Sequence, residues 1–342
     1  VREIRKDKIL IAGYKFPHHS DSSGYHHLSS FIEGEFLDAN RLPFGKAHVD
    51  SKIRQVNFIL FELAIRLKAL KKDVVHYLYP EQHLVFSVPK KNTIRVATIH
   101  LDEKWLDKNS KIKKKFLSTR RKAYEKLDGI ICLSSEQASR LRLIYPEKKI
   151  RFIPHGINQL GYYEQCDYDR NERFLITIVG SNYRDKELLL EIIGIAAEKH
   201  KHWIFNLVGI SQEWKKDFAD FKNVIIHPFL SENEYFSVMQ SSHIHLLPVK
   251  FATANNALLE AHTLGVPSLT SNTTGIKDYS IKSTRKFKGA FEAIRQLEDI
   301  AHLDNESYRQ LRESTKKEAI KFSWEEITKE VLDFYKELKS NK

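Results

Sequence analysis

Short apolar, β-branched runs alternate with longer segments of helical periodicity along the chain. That alternation is the signature of parallel strands joined by crossover helices. In the first half the runs are KILIAGY (8–14), DVVHYLY (73–79), IRVATIH (94–100), GIICLS (129–134) and IRFIPH (150–155). The second half restarts with RFLITIVG (173–180), HWIFNLVG (202–209), NVIIHPF (223–229), HIHLLPV (243–249) and VPSLTS (266–271). Between 156 and 172 periodicity fails and the residues turn polar, as a linker would. The pattern predicts an α/β protein with two Rossmann-like, doubly wound domains, an N-terminal one over 1–157 and a C-terminal one over 173–321, joined by a linker at 158–172. The final segment, 322–342, has Ser323 ahead of an apolar-periodic stretch and Glu326 three residues later, a capping-box signature. It is expected to form a helix that packs back on the first domain. Doubly wound sheets bind ligands beyond the carboxyl ends of their strands, so a cleft between two such sets of ends is expected, with its chemistry in the loops after strands.

Composition narrows the class. A chain of 342 residues exceeds what one core usually serves, which agrees with two domains. The longest apolar stretch, starting at Val56, is broken by Glu62, Arg66 and Lys68 at helical spacing, so it reads as a core helix and not as a membrane span. Two cysteines supply neither a disulfide framework nor a metal quartet, and the early run ILIA is too short for a signal segment. A cytoplasmic protein is the expectation. The 56 Lys and Arg outnumber the 44 Asp and Glu, giving a net charge of +12 and favouring an anionic partner. Residues 104–126 hold ten basic and two acidic residues interleaved with Trp105, Phe116 and Tyr124. Such a segment suits an anionic membrane surface, and a solvated charged helix has the same composition.

Several loops after strands carry residues suited to chemistry. Asn255 and Asn256 precede the helical pattern ALLEAHTL, where unpaired amides and the helix dipole attract an anion such as phosphate. Glu260, four residues beyond Asn256, lies on the same helix face and has the acceptors for a sugar diol. An ordinary capped helix accounts for the same residues. Arg184 and Lys186 follow VGSNY at a helix start, and His100 ends a buried-type strand. The first loop, 15–31, contains Asp21, Gly24, His26 and His27. Glycine there lets backbone approach a ligand closely, and Asp21 is a candidate base. The adjacent histidine pairs lack the convergent spacing of a zinc helix, so no metal is expected.

The order of these elements carries a further signal. The second-half strand, PVKF (248–251), the asparagine pair, LLEAHTLGVPSLTS (258–271) and TTGIKD (273–278) together resemble the donor site of GT-B glycosyltransferases, particularly family 4 and relatives. ATIHLDE (97–103), DGIICLSSEQASRL (128–141), IRFIPHGIN (150–158), ITIVGSNYRDKELLL (176–190) and the closing FSWEEITKEVLDFY resemble other segments of that family in the right order. The resemblance implies two facing Rossmann-like domains and transfer of a sugar, with retention, from a nucleotide diphosphate such as a UDP- or GDP-sugar to a glycan or lipid-linked glycan. No cofactor or metal is implied. Glu260 would hold the ribose, Asn255, Asn256 and the helix start the phosphate, and Arg184 and Lys186 the leaving diphosphate. His100 would lie by the donor sugar, with Gly24 in the close-approach loop. Two positions depart from the family: its E-x7-E pair would put a first glutamate at Ala252, and its arginine after glycine is Ser181. An inverting GT-B enzyme is the near alternative. A non-catalytic polyanion binder on the same scaffold is the distant one, and nucleic acid is not expected because no stacking-aromatic module or helix-turn-helix accompanies the basic run. The implied location is the cytoplasm, peripheral on the inner face of the membrane through residues 104–126.

Overall fold

Central strands of a parallel sheet are covered on both faces, so they are drawn from continuous apolar runs. A computed structural model describes residues 5–16, 24–47, 51–86, 92–101, 114–160 and 170–340. Among them are two six-stranded parallel sheets. The first contains β1 (Ile9–Gly13), β2 (Glu35–Asp38), β3 (Val74–Tyr77), β4 (Ile94–Ile99), β5 (Gly129–Cys132) and β6 (Lys149–Phe152), in the order β2-β1-β3-β4-β5-β6. The second contains β7 (Phe174–Val179), β8 (Trp203–Val208), β9 (Val224–Ile226), β10 (Ile244–Leu247), β11 (Ser268–Ser271) and β12 (Arg285–Phe287), in the order β12-β11-β10-β7-β8-β9. Ten strands coincide with the apolar runs. The two additional ones, β2 and β12, are edge strands whose sequences, EFLD and RKF, are short and charged and leave the backbone half-buried. Polar edge strands resist pairing with other chains, and the same polarity hides them from a hydrophobic scan.

Helices start where the sequence supplies a cap. Ser51, Ser134, Asp185, Ser211 and Asp304 each accept a hydrogen bond from the amide three residues on. Ser231 and Glu234 form a complete capping box. Each such oxygen satisfies an amide that the helix itself cannot.

The chain divides into two compact units. One contains β1 to β6 and takes its last layer from the Trp324–Ser340 helix; the other is Ile157–Ser323. In the first unit that helix lies on the sheet. Tyr335 Oη stands 2.6 Å from His76 Nδ1, whose ring reaches Thr98 Oγ1 at 2.7 Å through Nε2. Gly129, opening β5, leaves room for Phe334 and Leu338, and Gly156 lies against the fully buried Trp324 indole. In the second unit Phe174, Ile176 and Ile178 of β7 and Trp203, Phe205 and Leu207 of β8 form the core with Leu189, Ile192, Ile193 and Ala196 of the Lys186–Lys199 helix. No described helix is long and apolar enough to cross a membrane. Within the basic stretch 104–126, residues 104–113 lie outside the described residues and Lys114–Glu125 is helical.

A Cβ at Gly156 would fall inside contact distance of the Trp324 ring. Overpacking of this kind costs about 1–3 kcal/mol, so Gly156→Ala is expected to lower the thermal midpoint by several degrees. An unchanged midpoint would show that the indole is not a fixed part of this core.

Candidate active site

In the second sheet, β7 and β10 are central neighbours from which the chain winds in opposite directions, to β8 and β9 on one side and to β11 and β12 on the other. In doubly wound sheets, ligands bind beyond the carboxyl ends of the strands at such a switch point. The two segments singled out in the sequence leave from these two strands. They are tied together by backbone hydrogen bonds from Asp185 N to Pro248 O (2.9 Å) and from Lys250 N to Tyr183 O (2.9 Å). An antiparallel bridge pairs Arg184 with Val249. The loop after β7 turns through left-handed backbone at Gly180 (φ 71°) and Tyr183 (φ 59°). Glycine occupies such a conformation freely, whereas Tyr183 is held there by its neighbours.

Arg184 folds back under this loop. Its Nε donates to Val179 O at 3.1 Å and a terminal nitrogen donates to Asn182 O at 3.2 Å. Burial pulls the guanidinium down to about 10, while the Tyr235 hydroxyl draws it up. Lys186 takes a different direction. It is the first residue of its helix and its Nζ reaches Glu213 Oε1 (3.2 Å) and Asp217 Oδ2 (2.7 Å).

After β10 the chain reaches the Asn256–Thr263 helix. Asn255 is its cap, with Oδ1 accepting from Leu258 N at 3.0 Å. The asparagine side chain is thereby committed to the helix, and the amides of Asn256 and Ala257 are the ones without an intrahelical acceptor. Ala252, where the family pattern has a glutamate, is buried, and its carbonyl packs so closely on Gly275 that position 275 has no room for a side chain. Glu260 is 5% exposed, and its Oε2 accepts from Tyr235 Oη at 2.6 Å. Burial pushes its carboxyl up to about 7, against the Tyr235 hydrogen bond, which draws it down. Burial and the Glu260 carboxylate raise the Tyr235 phenol well above its usual range, so it remains a donor. Tyr235 comes from the Glu232–Ser241 helix, and nothing in its local sequence marks it.

In the first sheet the switch point lies between β1 and β3. Gly24, in the loop after β1, has left-handed φ of 112°, and Tyr25 beside it is fully buried. The Tyr25 ring meets His100 at 5.1 Å, His155 at 5.3 Å and Trp324 at 5.2 Å, all near perpendicular. His100 follows β4. Its Nε2 lies 2.7 Å from Leu78 O, and since a carbonyl only accepts, that nitrogen carries the proton. Glu81, after β3, was not singled out by sequence, yet its buried carboxylate accepts from the amides of His100 and Leu101 (2.9 Å for the latter). Burial raises Glu81 to about 7 in spite of these amides. Gln137 Nε2 donates to Leu101 O at 2.7 Å, completing the clamp on this turn. Asp21 lies outside the described residues, and the His26 and His27 rings meet at a tilt of 38° with centroids 4.3 Å apart. Among the described residues no group of three or more His, Cys, Asp or Glu is placed to hold a metal.

Comparison with known proteins places this geometry in a family. Residues 25–159 match the model of Glycosyltransferase Family 4, and residues 173–297 match that of Glycosyl transferases group 1. No curated protein sequence matches the chain. Among solved structures, the fold is similar to sucrose-phosphate synthase from Thermosynechococcus elongatus, with 15% identity, 97% of this chain and 100% of that one covered, and a TM-score of 0.70. It is also similar to the N-terminal domain of Candida albicans trehalose-6-phosphate phosphatase, with 10% identity, coverages of 98% and 97%, and a TM-score of 0.70. S. aureus TarM, solved in complex with fondaparinux, α-GlcNAc-glycerol and UDP, is similar at 13% identity, with 82% of this chain and 59% of that one covered and a TM-score of 0.60. With each half matched by a glycosyltransferase model and two Rossmann-like sheets in the expected order, the chain belongs to the GT-B glycosyltransferases of the family 4 and group 1 type.

Proposed function

We propose that this glycosyltransferase takes its sugar from a nucleotide diphosphate, UDP- or GDP-linked, and delivers it with retention to a glycan or lipid-linked glycan. The observation that carries the reading is the buried Glu260 carboxylate, fixed by Tyr235 beside Arg184 at the switch point of the second sheet. A carboxylate offers about four lone-pair sites, so one phenol leaves capacity for two ribose hydroxyls. The amides at Asn256 and Ala257, capped by Asn255, receive phosphate. When the bond between the anomeric carbon and the phosphate oxygen breaks, its electron pair stays on the diphosphate, and Arg184 and Lys186 stabilise that charge. Lys186 exchanges Glu213 and Asp217 for phosphate at little cost, because solvent screens exposed ion pairs. His100 lies by the donor sugar and Gly24 permits close approach of the loop. Asp21 accepts the proton that the acceptor hydroxyl loses as its oxygen bonds the anomeric carbon. In this reading the protein's own cations and amides serve where a metal would, and no cofactor is needed. UDP in the TarM complex supports a nucleotide donor. The protein works in the cytoplasm on the inner face of the membrane, with the basic residues of 104–126 toward an anionic surface.

The alanine at position 252 favours one competing outcome, inversion, since no carboxylate stands there. NMR coupling constants of the product's anomeric proton decide it: retention is expected, and the opposite configuration would replace the proposed stereochemistry.

A thermal-shift series with UDP, GDP, ADP, CMP and a single-stranded oligonucleotide tests the donor class. One diphosphate is expected to raise the midpoint by several degrees, as about 2.7 kcal/mol of linkage at a hundred-fold excess over Kd requires. Glu260→Ala should abolish that shift and Tyr235→Phe reduce it. Stabilisation by the oligonucleotide alone would overturn the reading.

Ribose hydroxyls donate, so the ionised form of Glu260 is the binding form. Its carboxyl titrates near 7, above the ordinary 4.5, because of burial. In the free protein this raised value stabilises the fold at acid pH, and the gain is lost as pH rises through 7. Binding runs the other way: diphosphate affinity measured by calorimetry should rise by up to about tenfold per pH unit below 7 and level off above it. Glu260→Gln should flatten that slope, and a slope identical in the variant would assign the titration elsewhere.

A further inference from the structure

The Lys52–Ala69 helix is apolar on both sides. Phe58, Phe61, Ile65 and Ala69 face inward and are buried. On the opposite side Ile53, Val56, Ile59, Leu63, Leu67 and, just past the helix end, Leu70 are exposed, Leu67 by 71%. At 100° per residue these six fall within an arc of about 120° directly opposite the buried one. A surface helix normally turns charged residues outward there, and a contiguous exposed aliphatic stripe marks an interaction site.

The charges bordering the stripe select the partner. Lys52, Arg66 and Lys71 flank it and have no ion pair among the described residues, while Lys68 and Lys72 pair with Glu35. The helix's one acid, Glu62, is buried, with Oε1 2.9 Å from His83 Nδ1 and Oε2 accepting from Phe86 N at 3.0 Å. The outward face therefore carries positive charge and no negative charge. A second copy meeting this face would set like charges against one another. A bilayer containing acidic lipids complements both features: the aliphatic side chains enter the acyl boundary, and the long basic ones reach back to the headgroups.

We propose that the outward face of the Lys52–Ala69 helix docks the protein on an anionic phospholipid bilayer. The surface is separate from the basic stretch 104–126, and its argument is independent of the transfer chemistry. The bilayer is met by a helix already folded on the sheet, so no ordering entropy is spent on binding.

Flotation of the full chain with vesicles tests the proposal. The protein is expected to float with vesicles of equal parts phosphatidylcholine and phosphatidylglycerol, and much less with phosphatidylcholine alone. Leu63→Glu with Leu67→Glu should strongly reduce flotation, whatever residues 104–126 contribute. Lys52→Ala, Arg66→Ala and Lys71→Ala together should weaken it on the order of a hundred-fold, at about 1 kcal/mol for each basic residue. All these variants should keep the wild-type melting temperature and nucleotide response, which separates this test from that of the donor site. Flotation equal in wild type and variants, or absent in the wild type, would overturn the proposal. So would a dimer in sedimentation that the Leu63 and Leu67 variant converts to monomer, which would assign the stripe to a second copy.

Discussion

Parallel pairing is the constraint from which the rest of this structure follows. A parallel strand cannot return through a tight turn, so every pairing here needs a crossover and leaves all carboxyl ends on one edge. Helices must cover both faces, so central strands such as β3 and β10 are buried along their whole length and are largely apolar. The winding reverses at one point in each sheet, and in the second sheet that is between β7 and β10. Arg184 and Glu260 are 76 positions apart in sequence, yet both arise from the loops and helices that leave this pair of strands.

Two buried carboxylates show how similar electrostatics serve different ends. Glu81 and Glu260 are both raised to about 7 by burial. Oε1 of Glu81 accepts from two backbone amides, those of His100 and Leu101, which fixes that turn. The Glu260 carboxylate has a single hydrogen-bond donor among the described residues, the Tyr235 hydroxyl. Burial with unused acceptor capacity is unfavourable in the free protein and would be relieved by arriving donors, which is why the ribose role is proposed for Glu260.

Much of the architecture was legible because apolar runs are obligatory in central parallel strands. The edge strands β2 and β12 escaped, since a strand of three or four residues of which two are charged has no hydrophobic signature. The glycosyltransferase family was legible from the order of weak motifs rather than from any one of them. What the sequence does not display is which residue completes a site from another element. Tyr235 approaches Glu260 from 25 positions away, and Glu81 approaches His100 from 19. Such pairings depend on how a helix rotates about its axis, which a local pattern leaves open. Lys186 illustrates the same point in reverse: its place beside Arg184 in sequence does not reveal that its ammonium group turns toward Glu213 and Asp217.

The Trp324–Ser340 helix belongs to the unit of β1 to β6, and the described residues of the other unit, Ile157–Ser323, lie between them in the chain. During synthesis, then, the sheet of β1 to β6 emerges first but lacks the layer that covers Gly129 and Gly156 until the Trp324–Ser340 helix has been made. The inserted unit has every element it needs before that moment. Domains usually mature in the order they are made; here the later one is ready first, and the earlier one waits with its apolar surface uncovered.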